Sequence, residues 1–399
     1  MVTATAVRFA TRMADLGTES AFEVLARARQ LERQGQHIIH MEIGEPDFPT
    51  PQHIKDAAND ALGANETKYG PSAGVMPCRE AVAAYVSETR GVPVRPEQVV
   101  ITPGAKPPIF YAALALVDEG DEVLLPDPGF PIYESVVAFV GGRPISVPLS
   151  EANEFRFDVE ELGQRITSRT KMIILNSPQN PTGSVLTAED VAGIAGLARD
   201  HDLWVISDEI YSRLLFEGDA PSVLSEPGMA ERTVLVDGFS KAYSMTGWRL
   251  GYGVMPEELA EGMAQLQNNC SSCTTTFIQY AGIAALQGPQ ESVDEMVAAF
   301  QSRRDLVVGR LNEITGVHCL SPHGAFYVFP RVEIPGLTSK EIADYLLERS
   351  GVAILAGTAF GNAGEGYLRL SIATATEQLE AGLDRMVQGL DELRAGQRL

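Results

Sequence analysis

From about residue 99 to residue 253, short runs of β-branched and aliphatic residues alternate with stretches of helical character, and no other feature of the chain restricts its fold as much. The runs cover 99–102, 122–125, 143–147, 172–175, 204–207, 234–236 and 250–254. Strands alternating with helices at this spacing predict an α/β domain built on a largely parallel sheet, with helices on both faces. Ligands of such sheets bind just beyond the carboxyl ends of the strands. The loops that follow the runs are therefore where chemistry is expected.

After the first run comes Thr102-Pro103-Gly104-Ala105-Lys106-Pro107, then an apolar helix. Gly104 permits close backbone approach, and the N–H groups of Ala105 and Lys106 at a helix start make a seat for an anion; the plainer reading is an ordinary turn. After the second run, Phe130 stands on a proline-framed loop, where it either stacks on a planar ligand or fills core. After the fourth, Asn180 sits in the stiff loop Asn176-Ser177-Pro178-Gln179-Asn180-Pro181-Thr182-Gly183. Asp208 ends the fifth run in Ser207-Asp208-Glu209-Ile210-Tyr211. A buried carboxylate there needs a cation or N–H partner, and Tyr211 is expected on the same side of an opening helical turn. After the sixth, Ser240-Lys241-Ala242-Tyr243-Ser244 sets a lysine between small residues, and Arg249 follows eight residues after it. The lysine suits imine formation, and the arginine suits a phosphate. Singly, each residue has a bland counterpart in surface charge or turn chemistry. Together they suit a planar, phosphorylated pyridine aldehyde: its ring nitrogen wants a carboxylate, its phenolic oxygen wants donors, and a lysine can hold its aldehyde.

Beyond this region the periodicity predicts helices over 21–34, 52–62, 257–267, 276–286, 291–314 and 339–349, and one starting at Thr376. Further strands are expected over 37–41, 325–329, 352–355 and 366–371, with loops over 44–51 and 69–74. The expected division is a large domain, 49–290, and a smaller α+β domain made of 1–48 and 291–399. Lys and Arg number 31 against 53 Asp and Glu, a formal charge of −22, which argues against nucleic-acid or anionic-membrane partners. No apolar run approaches the ~20 residues of a membrane span. Four cysteines (Cys78, Cys270, Cys273 and Cys319) do not make a disulfide framework, so a cytoplasmic location is expected. Cys270 and Cys273 have the spacing of half a metal site but no companion ligands in sequence, and no metal is expected.

Seven motifs then fall in order: Gly44-Glu45-Pro46-Asp47-Phe48-Pro49-Thr50-Pro51, Tyr69-Gly70-Pro71-Ser72-Ala73-Gly74, the Gly104-Ala105-Lys106 turn, the Asn180 loop, Ser207 to Tyr211, Ser240 to Gly253, and Tyr367-Leu368-Arg369-Leu370-Ser371. With these the chain resembles the class I/II aminotransferases, pyridoxal 5'-phosphate enzymes of fold type I, and closely the bacterial aspartate/aromatic branch. The resemblance runs from about residue 14 to the C-terminus. It implies transfer of an amino group between an α-amino acid and a 2-oxo acid by a ping-pong cycle. It further implies that Lys241 holds the cofactor and shuttles the proton, while Asp208 keeps the pyridine nitrogen protonated. Asn180 and Tyr211 hold the phenolic oxygen. Arg249, with Gly104, Ala105, Lys106 and Ser240, surrounds the phosphate, and Phe130 stacks on the ring. Arg369 grips the substrate α-carboxylate beside Gly44, and Tyr69 reaches the neighbouring subunit's phosphate in a homodimer with shared active sites.

Some positions depart from the commonest pattern. Ala105 and Gly238 stand where some members place hydroxyls, and Phe130 replaces a frequent Tyr or Trp. Glu19 and Phe22 occupy an entrance where aspartate-specific relatives carry small hydroxyl residues, which speaks against a dicarboxylate substrate. The segment 268–275, with both spaced cysteines, matches the one that reaches toward the partner's pocket. A lyase using the same cofactor, of the carbon–sulfur or aminocyclopropane-carboxylate type, is the second reading. The third reading, a cofactor-binding regulator fused to a DNA-binding module, requires a helix-turn-helix and a basic face, and the sequence shows neither; a phosphate-binding protein without a covalent cofactor is the fourth possibility.

Overall fold

A computed structural model describes residues 7–399. After a first short strand, β1 (Ile39–His40), the alternating region forms β2 (Val99–Thr102), β3 (Glu122–Asp127), β4 (Arg143–Pro148), β5 (Thr170–Asn176), β6 (Trp204–Asp208), β7 (Thr233–Gly238) and β8 (Gly251–Val254). These last seven make one sheet in the order β2-β8-β7-β6-β5-β3-β4, parallel except for β8, which runs against both of its neighbours. The seven predicted runs are therefore the seven strands. Their side chains alternate between two apolar environments. Val123, Leu125, Met172, Ile174, Ile206, Val234 and Val236 pack on one face, while Leu124, Ile173, Leu175, Val205 and Leu235 pack on the other. A sheet apolar on both sides must be covered on both sides. Helices α1 (Ser20–Arg33), α2 (Gln52–Gly63), α3 (Met76–Arg90) and α4 (Lys106–Leu116) open the series; α4 covers the first face, and α2 and α3 cover part of the second.

Helix α3 was not expected from the sequence. Its buried face is Cys78, Ala81, Val82, Ala83 and Val86, small side chains that give a weak apolar signal while fitting closely under the sheet. The residues after Asp208 also differ from expectation, since they form turns rather than the start of a helix.

The reversal at β8 decides where Arg249 lies. Between β7 and β8 the chain makes only a short turn of 3-10 helix, Thr246–Trp248, with no crossover helix. An antiparallel strand begins where its parallel neighbours end, so Arg249, two residues before β8, sits at the same edge as Asp208 and Lys241. Gly238 pairs with Gly251, and Gly251 pairs with Thr102 on its other side. A Cβ on Gly251 would overlap the backbone of Gly104.

A further apolar cluster holds Ile39 and Met41 together with Tyr211, Leu214, Phe216 and residues between Met296 and Leu393. Here β1 pairs in parallel with the strand Val352–Ala353. Strands Tyr327–Val328, Leu368–Ser371 and Leu355–Ala356 form a three-stranded antiparallel sheet. Phe300, on the helix Glu291–Asn312, is fully buried in this cluster between the rings of Phe48 and Phe326. Replacing it by Ala leaves a cavity worth about 3–5 kcal/mol, and a Phe300→Ala protein should show a correspondingly lower urea midpoint.

Candidate active site

One cavity of about 560 Å³ opens along the carboxyl edge of the large sheet and is roofed by residues of the second cluster. Its walls include Gly44, Ala105, Lys106, Phe130, Asn180, Asp208, Tyr211, Ser240, Lys241, Arg249 and Arg369, which the sequence singled out from distant loops. Gly104 lies just behind the wall at φ +93°, where a Cβ would overlap the Arg249 guanidinium. Tyr69 is not part of this cavity; it is 88% exposed on the protomer surface.

Lys241 is partly buried, and its Nζ donates to the Gly44 carbonyl at 2.5 Å. The amine lies 5.8 Å from the centroid of the Tyr211 ring and 5.6 Å from that of Phe326. Burial disfavours the charged ammonium and brings its pKa down to about 8. Asp208, paired in register with Asn176 across the strand ends, accepts hydrogen bonds from the Tyr133 hydroxyl at 2.7 Å and the Ile210 N–H at 3.2 Å. Burial raises the Asp208 pKa to about 6, and the Tyr133 bond opposes that rise. The carboxylate is still mostly ionised at neutral pH.

The phenol expected beside Asp208 points elsewhere. Tyr211 shares a hydrogen bond with Tyr327, oxygen to oxygen 2.9 Å, and burial pushes its pKa well up, so it remains a neutral donor. Tyr133 takes the place beside the carboxylate. It lies three residues after Phe130 on the helix Ile132–Phe139, and that spacing was the available signal. Tyr327 left no such local sign. Its ring lies under the Arg369 guanidinium at 4.4 Å, and its hydroxyl fills the space where a Cβ of residue 44 would be, which makes Gly44 a steric requirement.

Arg369 is buried, donates to the Glu42 carbonyl and contacts the Asn180 side-chain oxygen at 3.4 Å. Its Nε has no partner, an orphaned buried donor that an anion in the cavity would satisfy. Arg249 adopts the left-handed region, φ +56°, with Nη1 on the Thr246 carbonyl at 2.8 Å. Lys106 forms an ion pair with Glu19 across the cavity mouth. Among the described residues, no group of three or more His, Cys, Asp or Glu is placed to hold a metal ion.

A depressed lysine, a strand-end carboxylate, a glycine cradle beside an arginine and an unfilled buried guanidinium fit a phosphorylated pyridine aldehyde and an α-carboxylate. The family "Aminotransferase class I and II" matches residues 36–386. The chain belongs to it. This aminotransferase is 45% identical over 359 residues to an aspartate aminotransferase of Pyrococcus abyssi, and 44% identical over 359 residues to aromatic-amino-acid aminotransferase 2 of Thermococcus litoralis. Each match covers 89% of this chain and 92% of the relative. Among solved structures, the aspartate aminotransferase from Thermus thermophilus with maleate superposes with a TM-score of 0.92 at 36% identity, covering 96% of this chain and 100% of that one. The aromatic aminotransferase from Pyrococcus horikoshii gives 0.88 at 42%, covering 93% and 99%. The enzyme is a pyridoxal-phosphate-dependent transaminase of fold type I, and these relatives do not favour the lyase reading.

The pKa of Lys241 makes a kinetic prediction. In cofactor-free protein, the rate of forming a borohydride-reducible adduct with pyridoxal phosphate should climb with pH and level off above about 8. A rate still rising toward the 10.5 of a free lysine would contradict the burial argument.

Proposed function

We propose that the cavity residues divide the transamination between them as follows, an assignment carried by the convergence of Lys241, Asp208 and Arg369 on one cavity. Pyridoxal phosphate bound there supplies the electron sink that makes the substrate α-hydrogen acidic. Lys241 holds the cofactor and, when freed, moves the proton; a pKa of about 8 lets its neutral form accept that proton near neutral pH. Asp208 faces the ring nitrogen as an anion, and Tyr133 keeps the carboxylate oriented. Asn180 and the neutral Tyr211 donate to the phenolic oxygen. Phe130 supports the ring face. Arg249, Ser240 and the backbone from Gly104 to Lys106 take the phosphate, with the close approach of Gly251 fixing that turn.

Arg369 takes the α-carboxylate, supported by its unpartnered Nε and by a planar fork that matches two oxygens. Gly44 keeps the adjoining loop thin enough for the Tyr327 hydroxyl to fit. The division into residues 49–290, which hold the cofactor, and 1–48 with 291–399, which supply Arg369, belongs to the same reading. Its support is the apolar cluster that joins Ile39 to the C-terminal helix Thr376–Arg394 and meets the large part at Tyr211, Leu214 and Phe216.

The working unit in this reading is a cytoplasmic homodimer with shared sites. The exposure of Tyr69, and its place in the motif that resembles a cross-subunit phosphate contact, support that assembly. The four cysteines are free.

Three variants test these roles. Lys241→Ala should lose turnover together with the borohydride-reducible adduct. Arg369→Ala should raise KM for α-amino acids by about 100-fold, the loss of a buried charge-assisted pair, while reaction with simple amines changes far less; equal losses on both would remove the assignment. Tyr69→Phe should remain dimeric in sedimentation and yet release cofactor about tenfold more readily, the loss of one hydrogen bond to a charged group.

A further inference from the structure

Three charged side chains on the cavity wall are left without a part in those roles: Glu45, which accepts a hydrogen bond from the Thr246 hydroxyl, and the pair Glu19 and Lys106. Glu19 immediately precedes α1, and Lys106 opens α4; their charged ends meet in an ion pair across the mouth. The Lys106 ammonium also stands 5.5 Å from the centroid of the Phe130 ring. The cavity wall also carries small or apolar side chains, among them Ala21, Phe22, Ile43 and Phe360. The cationic side chains lining the cavity are Lys106, Lys241, Arg249 and Arg369. The last three serve the cofactor and the α-carboxylate, which leaves Lys106 for any second carboxylate. Glu19 already neutralises it.

On the assignment of roles above, we infer that the Glu19–Lys106 pair is the specificity element of this enzyme, selecting substrates with uncharged, mainly apolar side chains and rejecting dicarboxylates. A distal carboxylate brought to Lys106 meets the Glu19 carboxylate first. It must either share the lysine with a like charge or break the pair and leave Glu19 without its partner. A neutral side chain lies beside the pair and disturbs nothing. A cationic side chain finds Glu19 saturated and Lys106 repelling it. The discrimination is thus built from a repulsive element as much as from the apolar wall.

The Glu19 charge also favours the ammonium form of Lys241, an effect common to every substrate that cancels in a ratio of kcat/KM values. Glu19 sits at the N-cap of α1, but its side chain makes no capping hydrogen bond. The side chains of Glu19 and Lys106 are 18% and 46% exposed, and a pair so open to solvent contributes little to stability.

The experiment compares the holoenzyme with Glu19→Ser and with the double variant Glu19→Ser/Lys106→Met. One readout is kcat/KM for apolar, aromatic, acidic and basic amino acids; a second is the affinity for maleate, an unreactive dicarboxylate, by calorimetry. The native enzyme should favour neutral over acidic amino acids by about 100-fold, the scale set by about 3 kcal/mol of discrimination. Glu19→Ser should raise the acidic-to-neutral ratio about tenfold or more and tighten maleate binding, and adding Lys106→Met should reverse both changes. The inference is overturned if native enzyme turns over acidic or basic amino acids as well as neutral ones. It is equally overturned if Glu19→Ser moves neither the ratio nor the maleate affinity. Failure of every amino acid to react would instead overturn the assignment of catalytic roles, and maleate binding would still decide the specificity question.

Discussion

A lysine amine held out of water is the interaction on which the rest of this molecule depends. The Lys241 Nζ rests on one backbone carbonyl between two aromatic rings, where an ammonium is poorly solvated and the neutral amine is correspondingly easier to reach. That arrangement needs a loop thin enough to bring the Gly44 carbonyl to it, and the Tyr327 hydroxyl leaves no room there for a side chain. It also needs phenols that stay protonated, which the burial of Tyr211 and Tyr327 ensures. The electrostatics of the amine are therefore set first by packing against one apolar cluster, which holds Tyr211, Phe326 and Tyr327, and then by the neighbouring charges.

Strand direction supplies the second requirement. Five of the strands that build the site end at one edge because they run parallel, and the sixth, β8, begins at that edge because it is reversed. Had β8 followed a helical crossover, Arg249 would lie at the far side of the sheet from Lys241. The glycine contacts among Gly104, Gly238 and Gly251 belong to this turnaround, since they let the turn after β2 lie directly against the start of β8.

Much of this was legible in the sequence. Apolar runs bounded by turn residues give the strands, because a sheet buried on both faces cannot hide its composition. The strand-end loops give most of the cavity wall, because polar residues in stiff proline- and glycine-rich turns have few other reasons to be there. What escaped depends on contacts between distant residues. The small side chains of α3 carry too faint a periodicity to announce a helix. The partnership of Tyr211 with Tyr327 spans 116 residues, so no local spacing encodes it. Glu19 was visible as an oddity at the entrance, yet only the fold shows that it faces Lys106.

The position of Arg369 has a further consequence. Its guanidinium belongs to a strand of the small antiparallel sheet, and Lys241 follows a strand of the large one. On the proposed roles, a substrate gripped at its carboxylate while reacting at its α-carbon bridges the two sheets. It acts as a removable crosslink. Any relative motion of the two sheets is then confined only while the site is filled, which would make the exclusion of water during chemistry and the release of product two phases of the same mechanical cycle.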